Sequence, residues 1–240
     1  RSAEQFDGSV WLTYQTPDCF IFLTSVGREL VANCGVAVDL GRYIEDYKTD
    51  ERDGIRRYLA HGANAEVFSV GDTGLVVKER RLTDSGLPNG DDLLRGLNRM
   101  DRLYGSIEKH APRWLDMPAH YGVLVDRENP NRQFLLMQKI DAGVTVEDIR
   151  MHIHGVDIAR SPQLYQSVSR EFGDTTEELR QEVEDRFQTM KGTLREVLLK
   201  DGLSPDTYLP DLDFNRNNVL VERLETPVAS SSMRYWLIDQ

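Results

Sequence analysis

The sequence predicts an α+β protein, rich in strands in its first part and helical in its second. Three observations carry that reading. Residues 58–79 run as apolar stretches broken by small and turn-forming residues, the signature of successive short strands. Apolar residues recur every three to four positions across 91–110 and again across 175–202. Near the end, a loop dense in Asp and Asn, 209–218, opens onto the β-type triplet Val219-Leu220-Val221.

The 240 residues are 40% hydrophobic, enough for one large or two small packed domains. No apolar run reaches the roughly 18 to 20 residues that a membrane helix needs. A net charge of −11 repels phosphate backbones, so nucleic acid is not an expected partner, and basic or cationic partners are favoured. Two cysteines, Cys19 and Cys34, without a second pair fit a reducing, cytoplasmic setting, with a secreted effector as the alternative. His152 and His154, the closest pair of metal-type ligands, stand in a polar stretch and read as solvated.

In order, residues 1–55 read as a β-rich accessory segment. Val10–Tyr14, Phe20–Thr24 and Leu30–Val38 are expected strands, with turns at 16–18 and 25–27 and a helix over 39–53. Tyr58–Glu79 then reads as strand, small-residue turn, strand, turn, strand. Gly62, Ala63 and Ala65 lack bulk, so backbone N–H groups around Asn64 could approach a phosphate closely. The third strand ends in one lysine, Lys78. Residues 91–110 form an amphipathic helix begun by an acidic pair. Residues 114–125 and 133–139 are strands around a turn, and the second passes through Met137, Gln138, Lys139 and Ile140 to a helix capped by Thr145 or Asp148.

A mixed polar stretch, 150–171, precedes a long helix with Leu179, Val183, Phe187, Met190, Leu194, Val197 and Leu198 on one face. Thr175 or Thr176 is its expected N-cap and Gly202 its stop. The loop that follows places Asp213 five residues ahead of Asn218. A carboxylate can orient a hydroxyl or accept its proton, and an amide oxygen can ligate a divalent cation. Val219–Glu222 and Arg234–Asp239 read as a hairpin ending in a second acidic residue, Asp239.

This succession resembles the protein-kinase-like superfamily, nearer its small bacterial aminoglycoside-phosphotransferase-like members than eukaryotic protein kinases. The resemblance spans residues 56–240 and implies a bilobal fold, with a β-rich N-lobe at 56–139 and a helical C-lobe at 140–240. It implies ATP and Mg2+ as cofactors. Lys78 and the backbone of Gly62, Ala63, Asn64 and Ala65 would hold phosphates, and Met137, Gln138, Lys139 and Ile140 would meet the adenine edge. Asp101 or Glu108, with Asp92 third, would supply the carboxylate beside Lys78. Asn218 and Asp239 would hold magnesium, and Asp213 would orient the acceptor hydroxyl. Where the family carries His two residues ahead of the catalytic Asp, this chain has Asp211, which could share or take that role. The sequence stops at Gln240 directly after Asp239, leaving open a continuation or a compact kinase.

The expected function is therefore transfer of the γ-phosphoryl group of ATP to a hydroxyl of a protein or small molecule. A pseudokinase that binds nucleotide or a partner without turnover is the alternative. An unrelated α+β binding domain is the third reading.

Overall fold

The computed structural model describes residues 2–6, 9–34, 36–51, 54–61, 65–80, 93–141, 144–153, 162–173, 177–228 and 231–238. In chain order its elements begin with strands β1 (Ser2–Phe6), β2 (Ser9–Gln15) and β3 (Cys19–Leu23) and helices α1 (Ser25–Cys34) and α2 (Val36–Thr49). Next come β4 (Arg56–His61), β5 (Ala65–Val70), β6 (Leu75–Arg80), α3 (Leu93–His110), β7 (Leu115–Asp116), β8 (His120–Asp126) and β9 (Gln133–Gln138). The rest is β10 (Val144–Thr145), α4 (Val146–Ile153), α5 (Pro162–Phe172), α6 (Glu177–Lys200), α7 (Pro205–Tyr208), β11 (Val219–Val228) and β12 (Ser231–Leu237). The chain is α+β and divides into two compact units, Arg1–Arg102 with Ala119–Lys139, and Leu103–Pro118 with Ile140–Gln240. No helix among the described residues is long and apolar enough to cross a membrane.

The first unit is built on one antiparallel sheet with strand order β1-β2-β3-β8-β9-β6-β5-β4. Residues 1–55 thus contribute three strands to the same sheet that carries Lys78. Side chains alternate between faces along each strand. Leu75 and Val77 of β6 join Ile21, Leu23, Leu124 and Leu136 beneath Leu40, Tyr43 and Ile44 of α2. Val76 points the other way, with Val123, Leu135 and Met137, against Leu97 of α3.

The expected strand at Leu30–Val38 is instead the end of α1 and the start of α2. Val31, Val36, Leu40, Tyr43 and Ile44 recur at helical spacing and bury one face on the sheet. The expected turn at 25–27 is the first turn of α1. Thr24 caps it by accepting from the Gly27 N–H at 3.0 Å, while its own hydroxyl donates to the His120 carbonyl at 2.7 Å. Gly27 serves close approach rather than turning, because a Cβ there would lie 1.8 Å from the Tyr121 carbonyl oxygen.

Beneath α2 lies a buried charge cluster. Arg56 donates bidentately to Glu79, Nε to Oε1 at 2.6 Å and the second guanidinium nitrogen to Oε2 at 2.8 Å. The Tyr43 hydroxyl donates to the same Oε1 at 2.5 Å, and the guanidinium stacks 3.8 Å from the Phe68 ring centre. Burial, followed by the Glu79 charge, pushes the Tyr43 phenol well above its ordinary range. Such a pair is stable only while both partners are present.

In the second unit a four-stranded sheet runs β10-β11-β12-β7, antiparallel except for the parallel β12–β7 pair. The single strand expected over 114–125 is two: Leu115–Asp116 pairs with β12, and His120–Asp126 enters the eight-stranded sheet. Pro118 lies between them and has no N–H to continue a ladder. Thr145 and Asp148 cap α4 reciprocally, each side chain accepting from the other's backbone N–H at 2.8 and 3.1 Å. Gly202, at φ +71°, ends α6 in a Schellman motif, with Leu203 N–H bonded to the Leu198 carbonyl and Gly202 N–H to Leu199. The expected caps Thr175 and Thr176 lie outside the described residues. His152, expected to be solvated, is half-buried with Nε2 3.2 Å from Ser169 Oγ, and His154 lies outside the described residues. Cys19 is a buried free thiol.

Arg56→Ala strands the Glu79 carboxylate in the core and is expected to cost about 3–5 kcal/mol in urea unfolding, most of it recovered by the Arg56→Met/Glu79→Leu pair. A single variant as stable as wild type would refute this account. Gly27→Ala overpacks the α1–β8 contact and is expected to lower stability by about 1–3 kcal/mol, read from the thermal midpoint.

Candidate functional site

The Asp/Asn-rich loop is assembled by its own backbone. After α7, Leu209–Asp211 forms a 3-10 turn, and the buried Leu212 anchors the chain. Asp213 then turns outward and is exposed, with the Asn215 N–H bonded to its carbonyl at 2.8 Å. The Asn215 side chain caps a second 3-10 turn, Arg216–Asn218, by accepting from the Asn217 N–H at 3.1 Å. The chain thereby doubles back, and the Asn218 Nδ2 donates to Asp213 Oδ2 at 2.9 Å and to the Asp213 carbonyl at 3.3 Å. Asn218 immediately precedes β11, and the Ile238 N–H, one residue before Asp239, donates to the Asn218 carbonyl at 3.0 Å.

Helix α6 holds this loop from outside. Arg216 donates through Nε to Glu184 Oε2 at 3.1 Å and through its terminal nitrogen to Oε1 at 2.5 Å. Its guanidinium lies 5.0 Å from the Phe187 ring centre, and Lys191 Nζ lies 5.6 Å from that of Phe214. The Arg216 hydrogen bond, the largest effect, lowers the Glu184 pKa. A second pair, Arg150–Glu147 on α4, acts electrostatically on the same cluster.

Lys78 sits in the first unit on β6, opposite Val67 of β5 and Leu135 of β9. Alternation puts it with Val76, on the face opposite Glu79. His120 shares that face: it pairs with Met137, which pairs with Val76, and a bulge between His120 and Gly122 keeps it there. Asp101 of α3 is half-buried and accepts from the Ser25 hydroxyl at 3.2 and 3.3 Å. Burial raises its pKa, against the lowering effect of the Ser25 bond. Glu108 is exposed and belongs to the second unit.

Met137 is buried at the end of β9. The Gln138 N–H donates to the Ala119 carbonyl and the Lys139 N–H to the Gly74 carbonyl, both at 2.9 Å. Two donors of the 137–140 stretch are therefore satisfied inside the first unit. Ala65 is buried at the start of β5, opposite Arg80. Gly62, Ala63, Asn64, Asp92 and Asp239 lie outside the described residues, and for Asp211 only the backbone, closing its 3-10 turn, is described. Among the described residues no group of three or more His, Cys, Asp or Glu side chains is placed to hold a metal ion.

Sequence reasoning missed Arg216, Glu184 and His120. Arg216 and Glu184 are 32 residues apart, so no local pattern links them. His120 reads as an ordinary residue within the expected 114–125 strand until the sheet registers it on the Lys78 face. No protein-family model, no curated protein and no solved structure matches the chain.

His120 is 2% exposed, and its Nδ1 has no hydrogen-bond partner among the described residues. Burial, with a smaller contribution from the Lys78 charge, lowers its pKa from 6.5 to about 4. The folded protein holds this imidazole neutral where the unfolded chain protonates it. The stability this contributes is full above pH 6.5 and is lost as pH falls from there towards 4, by up to about 1.4 kcal/mol per pH unit. His120→Gln is expected to flatten the stability–pH curve over that window in urea melts. A variant curve parallel to wild type would assign the acid sensitivity to other groups.

Proposed function

We propose that this chain is an ATP- and magnesium-dependent phosphotransferase with a protein-kinase-like bilobal fold, moving the γ-phosphoryl group to a hydroxyl of a protein or small molecule. The observation that carries the reading is the loop at 209–218. Its turns bring Asp213 and Asn218, five residues apart, into direct hydrogen bonding at 2.9 Å. They also bond Asn218 to the strand that runs into Asp239, through Ile238. The backbone brings Asp213, Asn218 and Ile238 together at one end of the β11–β12 hairpin, which supports this reading.

Roles follow from phosphoryl-transfer chemistry, which is chiefly positioning and charge neutralisation. Asp213, exposed at the loop's turn, is free to meet an acceptor hydroxyl and take its proton. The donor end of the Asn218 amide is committed to Asp213, which leaves its oxygen, a hard ligand, as the end suited to magnesium. Asp239 is the second proposed ligand. Magnesium, when bound, would neutralise charge on the transferring phosphoryl group. Lys78 would pair with the nucleotide phosphates. With the Gln138 and Lys139 N–H groups already engaged, the adenine edge would be met by carbonyls of that stretch and by Ile140. A net charge of −11 favours a basic or cationic acceptor.

Thermal shift with ATP, with and without magnesium, tests this on wild type, Asp239→Ala and Asp213→Ala. At nucleotide a hundred times its Kd, the expected stabilisation is about 2.7 kcal/mol. It should require magnesium and vanish in Asp239→Ala. Asp213→Ala should keep the shift and lose at least about a hundredfold in turnover. A shift without turnover in wild type would make the chain a nucleotide-binding module, and no shift with any nucleotide would overturn the reading.

A further inference from the structure

We propose that Arg216 is the positioning residue of the Asp213–Asn218 loop, transmitting the rigidity of α6 to the two side chains that act. This rests on the phosphotransferase reading of that loop. Asp213 is exposed, so packing does not fix its carboxylate, and no interatomic bond described for it beyond the loop itself holds it in place. Apart from the Ile238 bond to the Asn218 carbonyl, the loop is closed by short-range bonds of its own, from Asn215, Asn217 and Asn218. Short polar turns of this kind open readily unless tied to a packed element.

Arg216 supplies that tie. It stands between the two acting residues, and its planar fork meets both oxygens of Glu184, a geometry that restricts rotation as well as distance. Glu184 sits one residue from Val183, which is buried, and four residues before Gln188, which also donates to its carboxylate at 2.7 Å. The anchor is therefore itself oriented. The Phe187 ring beneath the guanidinium comes from the next turn of α6. Two contacts from one rigid helix to one residue define the loop's height and tilt, while Lys191 over Phe214 adds a third point further along. For a reaction that depends on alignment, a displacement of about 1 Å can cost on the order of a hundredfold in rate.

The test pairs a spectroscopic readout with kinetics. In 15N-labelled protein the Asn218 side-chain amide, assigned by its disappearance in Asn218→Asp, reports its bond to Asp213. Arg216→Ala should move both Asn218 side-chain protons towards solvent-exposed values while the remaining amide spectrum stays folded. Magnesium-dependent ATP hydrolysis by the same variant should lose about 10- to 100-fold in kcat, with KM for MgATP within about twofold. Glu184→Gln should reproduce both effects, the double variant should be no worse than either single one, and Arg216→Lys should recover only part because it lacks the fork.

Unmoved Asn218 resonances, or additive losses in the double variant, would overturn the positioning role. A KM rise with kcat intact would overturn it too, by making Arg216 a ligand contact. Absence of ATP hydrolysis in wild type would refute the phosphotransferase reading alone, and the Asn218 signal would still decide whether Arg216 holds the loop.

Discussion

The ion pair between Arg56 and Glu79 is the constraint on which the first unit depends. Two charges are buried there, and their desolvation is offset chiefly by the bidentate geometry, the Tyr43 hydroxyl and the Phe68 ring. Because β6 alternates, drawing Glu79 into the face covered by α2 commits Lys78 to the other face. A slip of one residue in that strand would turn the lysine towards α2 and the glutamate towards α3, parting Glu79 from Arg56. The pair therefore sets the register that gives Lys78 its surroundings, among them the neutral imidazole of His120.

The second unit solves a different problem. Asp213 and Asn218 lie on a short polar loop, where burial cannot provide order. Order comes instead from the ends: a Schellman stop after α6 delivers the chain, and the β11–β12 ladder receives it. Between these ends the loop is closed by Asx-type bonds, which Asn and Asp form with their own neighbouring backbone. The same composition that marks an unremarkable turn thus also builds a chemically arranged one. What separates the two is the external bracing from Glu184 and Phe187.

Charge placement follows the same logic in both units. One ion pair in each unit holds a strand or turn to an element distant in sequence, Arg56 with Glu79 and Arg216 with Glu184. The excess acid that sets the net charge of −11 is left for the surface, where it affects which partners approach and not how the chain folds.

Local chemistry was legible in the sequence. The three strands ending at Lys78, the amphipathic α3 and α6, the Gly202 stop, the Thr145–Asp148 cap and the hairpin after Asn218 each follow from propensity, period or capping within a dozen residues. The sequence also singled out Asp213 and Asn218 by their spacing, and the turns between them need only Asn215 and its neighbours. Tertiary structure decided the rest. Leu30–Val38 carries β-branched and apolar residues that suit a strand, yet the sheet below accepts a helical face and Gly27 lets that helix approach. Residues 114–125 divide between two sheets because a strand's pattern states which face is apolar and not which partner it meets. The Arg216–Glu184 brace and the burial of His120 were invisible for one reason: both arise from contacts between segments far apart in the chain, where no residue spacing records who will be neighbours.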